Sequence, residues 1–456
     1  YGRNDSYFDR GYAAGEGLID GQDDTTYGWD LDGEGYHEGT GYMPYTAQRG
    51  WARSGNETVH KTDGRNLIIH AGNGMEVFGG NLYLSGQIRD GGRTNRAGLD
   101  PRRQYFAGMD AEEAAFDREN HRIGAGNFEQ VSMMWNGSFP MERGTLYTFG
   151  GFNSRDGESG CYYRRAQDNR TLRAWYPDGF LPLISPTLSD KSMAIGMKGL
   201  MGDYAYDLSV NTGSNDFQWG MKNSHNATYG TGPGQQSEFD LGTLGYSQTT
   251  INFDVTTQMD MEGFAGPVSL AMGAEMRMEN YTIEAGEEAG YADGGFDVLD
   301  GPNAGASAAV GCQCLPGLAP NNEQDRDRDA FSVYVDAEAD VLDNLLVNVA
   351  LRTENYSDFG QTTNGKVAMR YELQDGVAAR GSFSTGFRAP ALQEAYFSSI
   401  ATNFIDGIPY EVGTFPVDTE PARALGAQDL EPETSTNLSM GMTYKDDAFT
   451  VSVDAY

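Results

Sequence analysis

Hydrophobic and polar residues alternate one by one over much of this chain. In 331–341, Phe331, Val333, Val335, Ala337, Ala339 and Val341 fall on one side, and Ser332, Tyr334, Asp336, Glu338 and Asp340 on the other. A period of two is that of a β-strand, whose successive side chains point to opposite faces. The split recurs in 268–278, where Val268, Leu270, Met272, Ala274 and Met276 oppose Ser269, Ala271, Gly273, Glu275 and Arg277. It returns in 204–211, 251–261, 366–373, 438–444 and 449–455. The pattern predicts about fourteen strands. They fall near 65–72, 77–90, 127–139, 144–155, 191–201, 203–213, 249–261, 267–283, 329–341, 345–357, 364–374, 377–388, 434–444 and 448–456.

The connections sort by length. Short turns stand at 201–203, 263–266, 342–344, 374–376 and 445–447, and long ones at about 90–125, 155–190, 213–248, 284–328 and 388–433. The long ones exceed the ~12–15 residues of an ordinary loop. Read as a strict alternation of long and short, they predict an up-and-down antiparallel barrel with turns at one rim and loops at the other. The apolar faces would then meet lipid and the polar faces a wet lumen. Several strands exceed the ~9–11 residues a bilayer needs, so they would project on the long-loop side. A soluble β-sandwich is the competing reading, since alternation alone does not say whether the apolar face meets lipid or a core.

Composition narrows the function. Among 456 residues, 66 acids face 32 bases, for a net charge of -34. Such a surface repels phosphate, which argues against nucleic-acid binding. Aromatic residues make up 12%, too many for a disordered chain. No run of about 18 apolar residues marks a spanning helix. The opening residues, Tyr1-Gly2-Arg3-Asn4-Asp5, carry neither the basic nor the apolar part of a signal peptide. They read as the start of a mature, truncated or fragmentary chain.

Candidate chemistry is sparse. Gly360 to Lys366 matches most of a phosphate loop, but Val367 replaces its hydroxyl residue and a strand follows instead of a helix, so the segment reads as a hairpin turn. Asp30-Leu31-Asp32-Gly33-Glu34-Gly35 begins like a calcium loop, yet Gly41 stands where the bidentate acid belongs. It reads as a solvated acidic loop. The histidines, His37, His60, His70, His121 and His225, show no ligand spacing, so no metal or cofactor is expected. Cys161, Cys312 and Cys314 leave two readings open: one bridge from Cys161 to either partner, or three free thiols. No nucleophile, base and acid fall into a catalytic pattern, so an enzyme is not expected.

Arginines beside aromatics are the candidate ligand site: Arg93, Arg96, Arg102 and Arg103 in one long loop, and Tyr163, Arg164, Arg165, Trp175 and Tyr176 in the next. Guanidinium forks and rings suit an anionic or sugar ligand. Asp100, Asp110, Asp117, Asp156 and Asp168 interleave with them, and pairing that merely holds the loops together is the favoured alternative.

An ordered set of motifs goes further. Tyr356-Ser357-Asp358-Phe359-Gly360 is followed by Gly386-Phe387-Arg388-Ala389-Pro390, and then by Leu430-Glu431-Pro432-Glu433 with Ser435 and Asn437. This series resembles the barrel of TonB-dependent outer-membrane receptors. Thr94 to Gly98, Asp100 to Tyr105 and Tyr176 to Pro182 resemble its early loops. The likeness spans about 65–456 and is densest from 330 to 445. The motif residues sit at strand–loop junctions and are structural.

The resemblance implies an all-β, transmembrane, antiparallel up-and-down β-barrel. It would be incomplete, with about fourteen of about 22 strands, the size of a plugged lumen. The plug domain would be absent from 1–456, and 1–63 would be mostly loop. Tyr456 lies in the polar phase of its strand, unlike the usual aromatic end of such a barrel. The implied function is active uptake of a scarce solute (ferric siderophore, cobalamin or oligosaccharide) across a Gram-negative outer membrane. The implied partners are the TonB complex, acting through a plug outside this chain, membrane lipid and lipopolysaccharide, and a small solute. No nucleic acid is implied, and the chain would be a monomer. A passive porin-like channel and a soluble all-β adhesin or carbohydrate-binding protein are the alternatives.

Overall fold

The computed structural model describes residues 63–405 and 408–456, together with the backbone strands Gly2–Arg3, Ser6–Tyr12 and Gly55–Lys61. Residues 13–54, with the acidic segment 30–35, lie outside the described residues.

Fourteen long strands follow in order. They are β1 (Arg65–Val77), β2 (Gly80–Gly91), β3 (Asn127–Met141), β4 (Gly144–Gly160), β5 (Thr187–Met201), β6 (Tyr204–Lys222) and β7 (Phe239–Met259). Then come β8 (Val268–Ala285), β9 (Gln324–Leu342), β10 (Leu345–Tyr356), β11 (Gly360–Gln374), β12 (Val377–Arg388), β13 (Glu433–Lys445) and β14 (Thr450–Ala455). Each pairs antiparallel with its neighbours in sequence, so the sheet is an up-and-down meander. Gly2–Arg3 pairs onto the outer edge of β1, and Leu183–Ile184 bridges the tops of β4 and β6. Among the described residues no pairing joins β14 to β1.

The pleat decides which way the sheet faces. Residues directly opposite on neighbouring strands share a face. One row runs Leu208, Phe253, Ala274, Val333 across β6 to β9, and another runs Val349, Val367, Phe383, Leu438 across β10 to β13. The large side chains of both rows are exposed: Phe253 is 47% accessible and Leu438 56%. A sandwich would bury them. The buried apolar clusters lie elsewhere, near the long-loop rim, where Met221, Phe239, Leu241 and Cys312 pack together and Tyr281, Ile283 and Leu392 form a second cluster. The apolar face of the sheet is therefore a lipid face, and its polar face lines a barrel lumen. No described helix is long and apolar enough to cross a membrane.

The opposite face is polar row by row. Ser209, Asn252, Glu275, Ser332 and Glu354 stand side by side from β6 to β10. Arg277 donates to Glu275 at 2.8 Å, and Arg352 donates to Glu354 at 2.7 Å. Charges of both signs share a wall that water reaches, so they need no apolar cover.

Tight turns close the lower rim. Phe78 and Gly79 between β1 and β2 both take positive φ, 56° and 72°, as a two-residue hairpin with the right twist requires. Phe78 is 91% exposed, an aromatic left at the rim. The upper rim carries five long loops: loop 1 (92–126), loop 2 (161–186), loop 3 (223–238), loop 4 (286–323) and loop 5 (389–432). Loops 2 and 3 are shorter than the sequence suggested, because β4, β6 and β7 continue pairing above the membrane.

Two expectations need correction. The alternation of long and short is not strict, since β10 and β11 join at the upper rim through 357–359 alone. Likewise 360–366 is not a turn but the start of β11, paired from Gly360 opposite Tyr356 to Lys366 opposite Ala350. Its backbone groups are committed to the ladder, so they cannot cradle a phosphate.

The facing assignment can be tested on two adjacent residues. Ile251→Lys, on the lipid face, is expected to cost about 2–4 kcal/mol of folding free energy in bilayers. Asn252→Lys, on the lumen face, should cost far less. Urea titration of vesicle-refolded protein measures both, and equal costs would contradict the assignment.

Candidate functional site

The long loops pack into one cap, built around the arginines and aromatics singled out in the sequence. Loops 1 and 2 each contain the same local device. In Asp100-Pro101-Arg102, Asp100 Oδ1 accepts from the Arg102 amide at 3.0 Å and from its Nε at 2.9 Å, while Oδ2 accepts from Nη2 at 2.7 Å. In Asp168-Asn169-Arg170 the corresponding distances are 2.9, 2.8 and 2.7 Å. A two-residue spacing lets one carboxylate take the fork and the backbone amide together, which closes a turn. The first pair is nearly dry, with Asp100 2% and Arg102 6% exposed. Burial alone would raise each aspartate, but hydrogen bonds and charge from Arg102 and Arg170 outweigh it and bring both carboxyls down to about 2.

Aromatic contacts then join the loops. Arg102 lies over the Tyr162 ring at 4.3 Å. Phe116 of loop 1 meets Tyr163 of loop 2 edge-on at 5.9 Å. Tyr105 donates to the Asp178 carboxylate at 2.7 Å, and Tyr163 donates to the Asp178 carbonyl at 2.8 Å. The Arg103 carbonyl accepts from Gln167 at 2.7 Å and Arg165 at 3.2 Å. The Arg103 guanidinium donates to the Tyr105 and Phe106 carbonyls and to Asp110 at 3.1 Å.

Loops 2, 3 and 4 meet at His225, which is fully buried. Its ring packs against Tyr176 at 5.3 Å and Phe180 at 4.7 Å. Its Nε2 lies 2.9 Å from the Arg170 carbonyl and 3.1 Å from the Leu172 amide, and Nδ1 has no partner. Burial pushes the imidazole down to about 4, so it is neutral in the folded cap. A disulfide between Cys161 and Cys314 ties loop 2 to loop 4 across 153 residues. The bridged alternative therefore holds, and Cys312 is the free thiol, buried with its Sγ donating to the Leu315 carbonyl at 2.8 Å.

The nine predicted residues thus divide. Arg96 pairs with Asp63 at 2.9 Å, while Arg102, Arg103, Tyr163, Arg165 and Tyr176 bind the loops to one another. Arg93 and Trp175 are exposed, Trp175 to 41%. Among the described residues Arg164, half-buried, makes one long hydrogen bond, to Gln313 at 3.3 Å. Burial, with Arg170 nearby, lowers its guanidinium to about 10. The Asp168 carboxylate offsets part of that lowering. Sequence reading missed Asp178, His225 and Gln313, because each acts on residues far away in the chain. Among the described residues no cluster could hold a metal ion.

The receptor-like motifs also find their reason. Arg328 on β9 donates to Glu279 at 2.8 Å and to the Pro390 carbonyl at 2.6 Å. Arg388 pairs with Glu394 at 2.8 Å and with Glu433 at 3.1 Å, clamping both ends of loop 5. Glu279, Arg328 and Arg388 line a cavity of about 380 Å³ on the upper wall, beside Tyr246 and Tyr356.

Known proteins resemble most of the chain. Residues 184–456 match the family model described as TonB dependent receptor-like, beta-barrel. The ferric enterobactin receptor PirA of Pseudomonas aeruginosa is 22% identical over 227 residues, 45% of this chain and 30% of that receptor. Among solved structures, a mutant ferric enterobactin receptor of Pseudomonas aeruginosa in complex with enterobactin shares the fold, with a TM-score of 0.53 at 14% identity over 87% of this chain. The siderophore receptor PirA from Pseudomonas aeruginosa superposes with a TM-score of 0.50 at 11% identity over 86% of this chain. This chain spans about half the length of those structures, 51% and 52%.

The buried groups set a pH response. Between pH 6.5 and 4 the unfolded cap takes up a proton at His225 that the folded cap refuses. Cap stability should fall across that window, by roughly 3 kcal/mol once below it. Asp100 and Asp168 lose their contribution only further down, as pH falls from about 4 to 2. Hydrogen exchange in 161–186 and 223–238 reads the profile. His225→Phe should flatten its upper arm, and an unaltered profile would reject this origin.

Proposed function

The chain belongs to the TonB-dependent receptor β-barrel family, and on that premise we propose that it forms, within one domain over 1–456, part of the barrel of a receptor that takes up a scarce solute. The barrel sits in the outer membrane of a Gram-negative bacterium, as its family does. A ferric siderophore is the favoured solute, because the named relatives are siderophore receptors; cobalamin or an oligosaccharide is the alternative. The TonB complex would drive release through a plug domain outside this chain.

The observation that carries this reading is the cap. Arg102 and Arg103 hold loop 1 against loop 2, so the fork-bearing and aromatic side chains stand in fixed positions above a polar wall. Arg93, Arg164 and Trp175 are assigned the direct solute contacts. Arg96, Arg102, Arg103, Tyr163, Arg165 and Tyr176 are assigned the positioning of those contacts. Preorganised loops spend less of the binding energy on ordering. A passive channel has no need of such a cap, and the exposed apolar band opposes a soluble adhesin.

Uptake by a strain lacking the gene, complemented with variants of the full-length receptor, tests the reading. Arg102→Ala with Arg103→Ala should lower uptake of the strain's required solute roughly tenfold or more, since a buried ion pair is broken. Arg164→Ala should lower it without loosening the cap. Folded barrel should remain at wild-type levels in both, seen as heat-modifiable migration in gels. Undiminished uptake would remove these residues from the site.

A further inference from the structure

We propose that the upper lumen wall carries a separate oxyanion station, formed by Arg89 of β2 and Arg155 of β4 around Phe128 of β3. Two rows of the sheet build it. In the upper row Gly91, Phe128 and Gly157 stand directly opposite one another. A Cβ on Gly91 would collide with the Phe128 ring, so the glycine lets the ring lie flat along the wall. In the next row Arg89, Gln130 and Arg155 stand opposite one another on the same face. Both guanidiniums turn onto the ring, Arg89 at 5.3 Å and Arg155 at 4.1 Å from its centre.

What marks the station is missing charge compensation. Among the described residues neither arginine has an acid within ion-pair reach, although the chain carries 66 acids. Arg89 Nε is buried without any hydrogen-bond partner. Acids adjoin these residues in sequence: Asp90 follows Arg89, Glu129 precedes Gln130, and Asp156 follows Arg155. The pleat sends those three carboxylates to the other face, where they form their own row. Asp90 pairs there with Arg65, and Asp156 accepts from Thr187 at 2.6 Å. Locally neutral sequence thus becomes a wall with cations inside and anions outside.

Two guanidiniums held around one ring repel each other unless an anion joins them. Cation–π attraction offsets part of that repulsion and fixes their spacing. A carboxylate or phosphate group between them would gain charge-assisted hydrogen bonds from both forks. Gln130 is committed below, donating to Asn153 at 2.7 Å, and closes the floor. The station lies on the lumen wall near the base of loop 1, so it would meet a solute after the cap does.

The inference rests on the uptake reading only in calling the anion a solute, because binding is measured on purified receptor without transport. Full-length receptor in detergent is titrated calorimetrically with citrate and, separately, with inorganic phosphate. At least one should bind, more weakly as salt rises. Arg89→Gln and Arg155→Gln should each weaken it roughly tenfold, the scale of lost charge-assisted bonds. Glu129→Gln, beside Gln130 in sequence but on the outer face, should stay within about twofold of wild type, as screened charge does. Binding of citrate alone assigns a carboxylate, and binding of phosphate alone a phosphoryl group. No binding by the wild type, or equal weakening by Glu129→Gln, overturns the proposal. Loss of uptake with intact citrate or phosphate binding would instead fault the transport reading.

Discussion

Everything in this molecule follows from the obligation to pair backbone groups inside a bilayer. A meander of fourteen strands meets it by giving each of the twelve strands from β2 to β13 a partner on either side. Once the ladder is set, the pleat has only two sides to distribute residues between. One side takes Leu208, Phe253 and Val333, and the other takes Ser209, Asn252 and Ser332. No conventional core is needed below the loops, which is why a chain only 39% hydrophobic can live in a membrane.

Above the membrane the constraint changes. Water is available, so loops need not be paired throughout, and their order must come from side chains. The cap achieves it with ionised groups in dry places, an arrangement that is costly unless every charge is met. Asp100 with Arg102 and Asp168 with Arg170 meet it within three residues of chain. Short-range pairing of this kind makes turns, and the turns then present Tyr105, Tyr163 and Tyr176 to distant partners.

That division explains what could be read from the sequence. All fourteen strands were legible, because period two is a local property and recurs in every strand. Their ends were not: Phe217, Trp219 and Met221 of β6 and Phe239 and Leu241 of β7 keep a period of two, but among Gly, Ser, Asn and Asp residues that read as loop. The short connection 357–359 was misplaced for the same reason: Gly360 to Asn364 looks like a turn until its pairing with β10 is known. At the site, residue types were legible but roles were not. Tyr105 and Asp178 are 73 positions apart, and nothing near either residue announces the other. Arg155 and Asp156 are adjacent in sequence, yet adjacent residues in a strand never share a face.

The bridge between Cys161 and Cys314 also has a mechanical meaning. It closes a covalent ring that contains β5, β6, β7 and β8. Tension applied through the two ends of the chain passes from residue 161 to residue 314 through sulfur, and the enclosed strands bear none of it. Force along the chain therefore cannot peel these four strands away, and the load falls on the staves outside the ring.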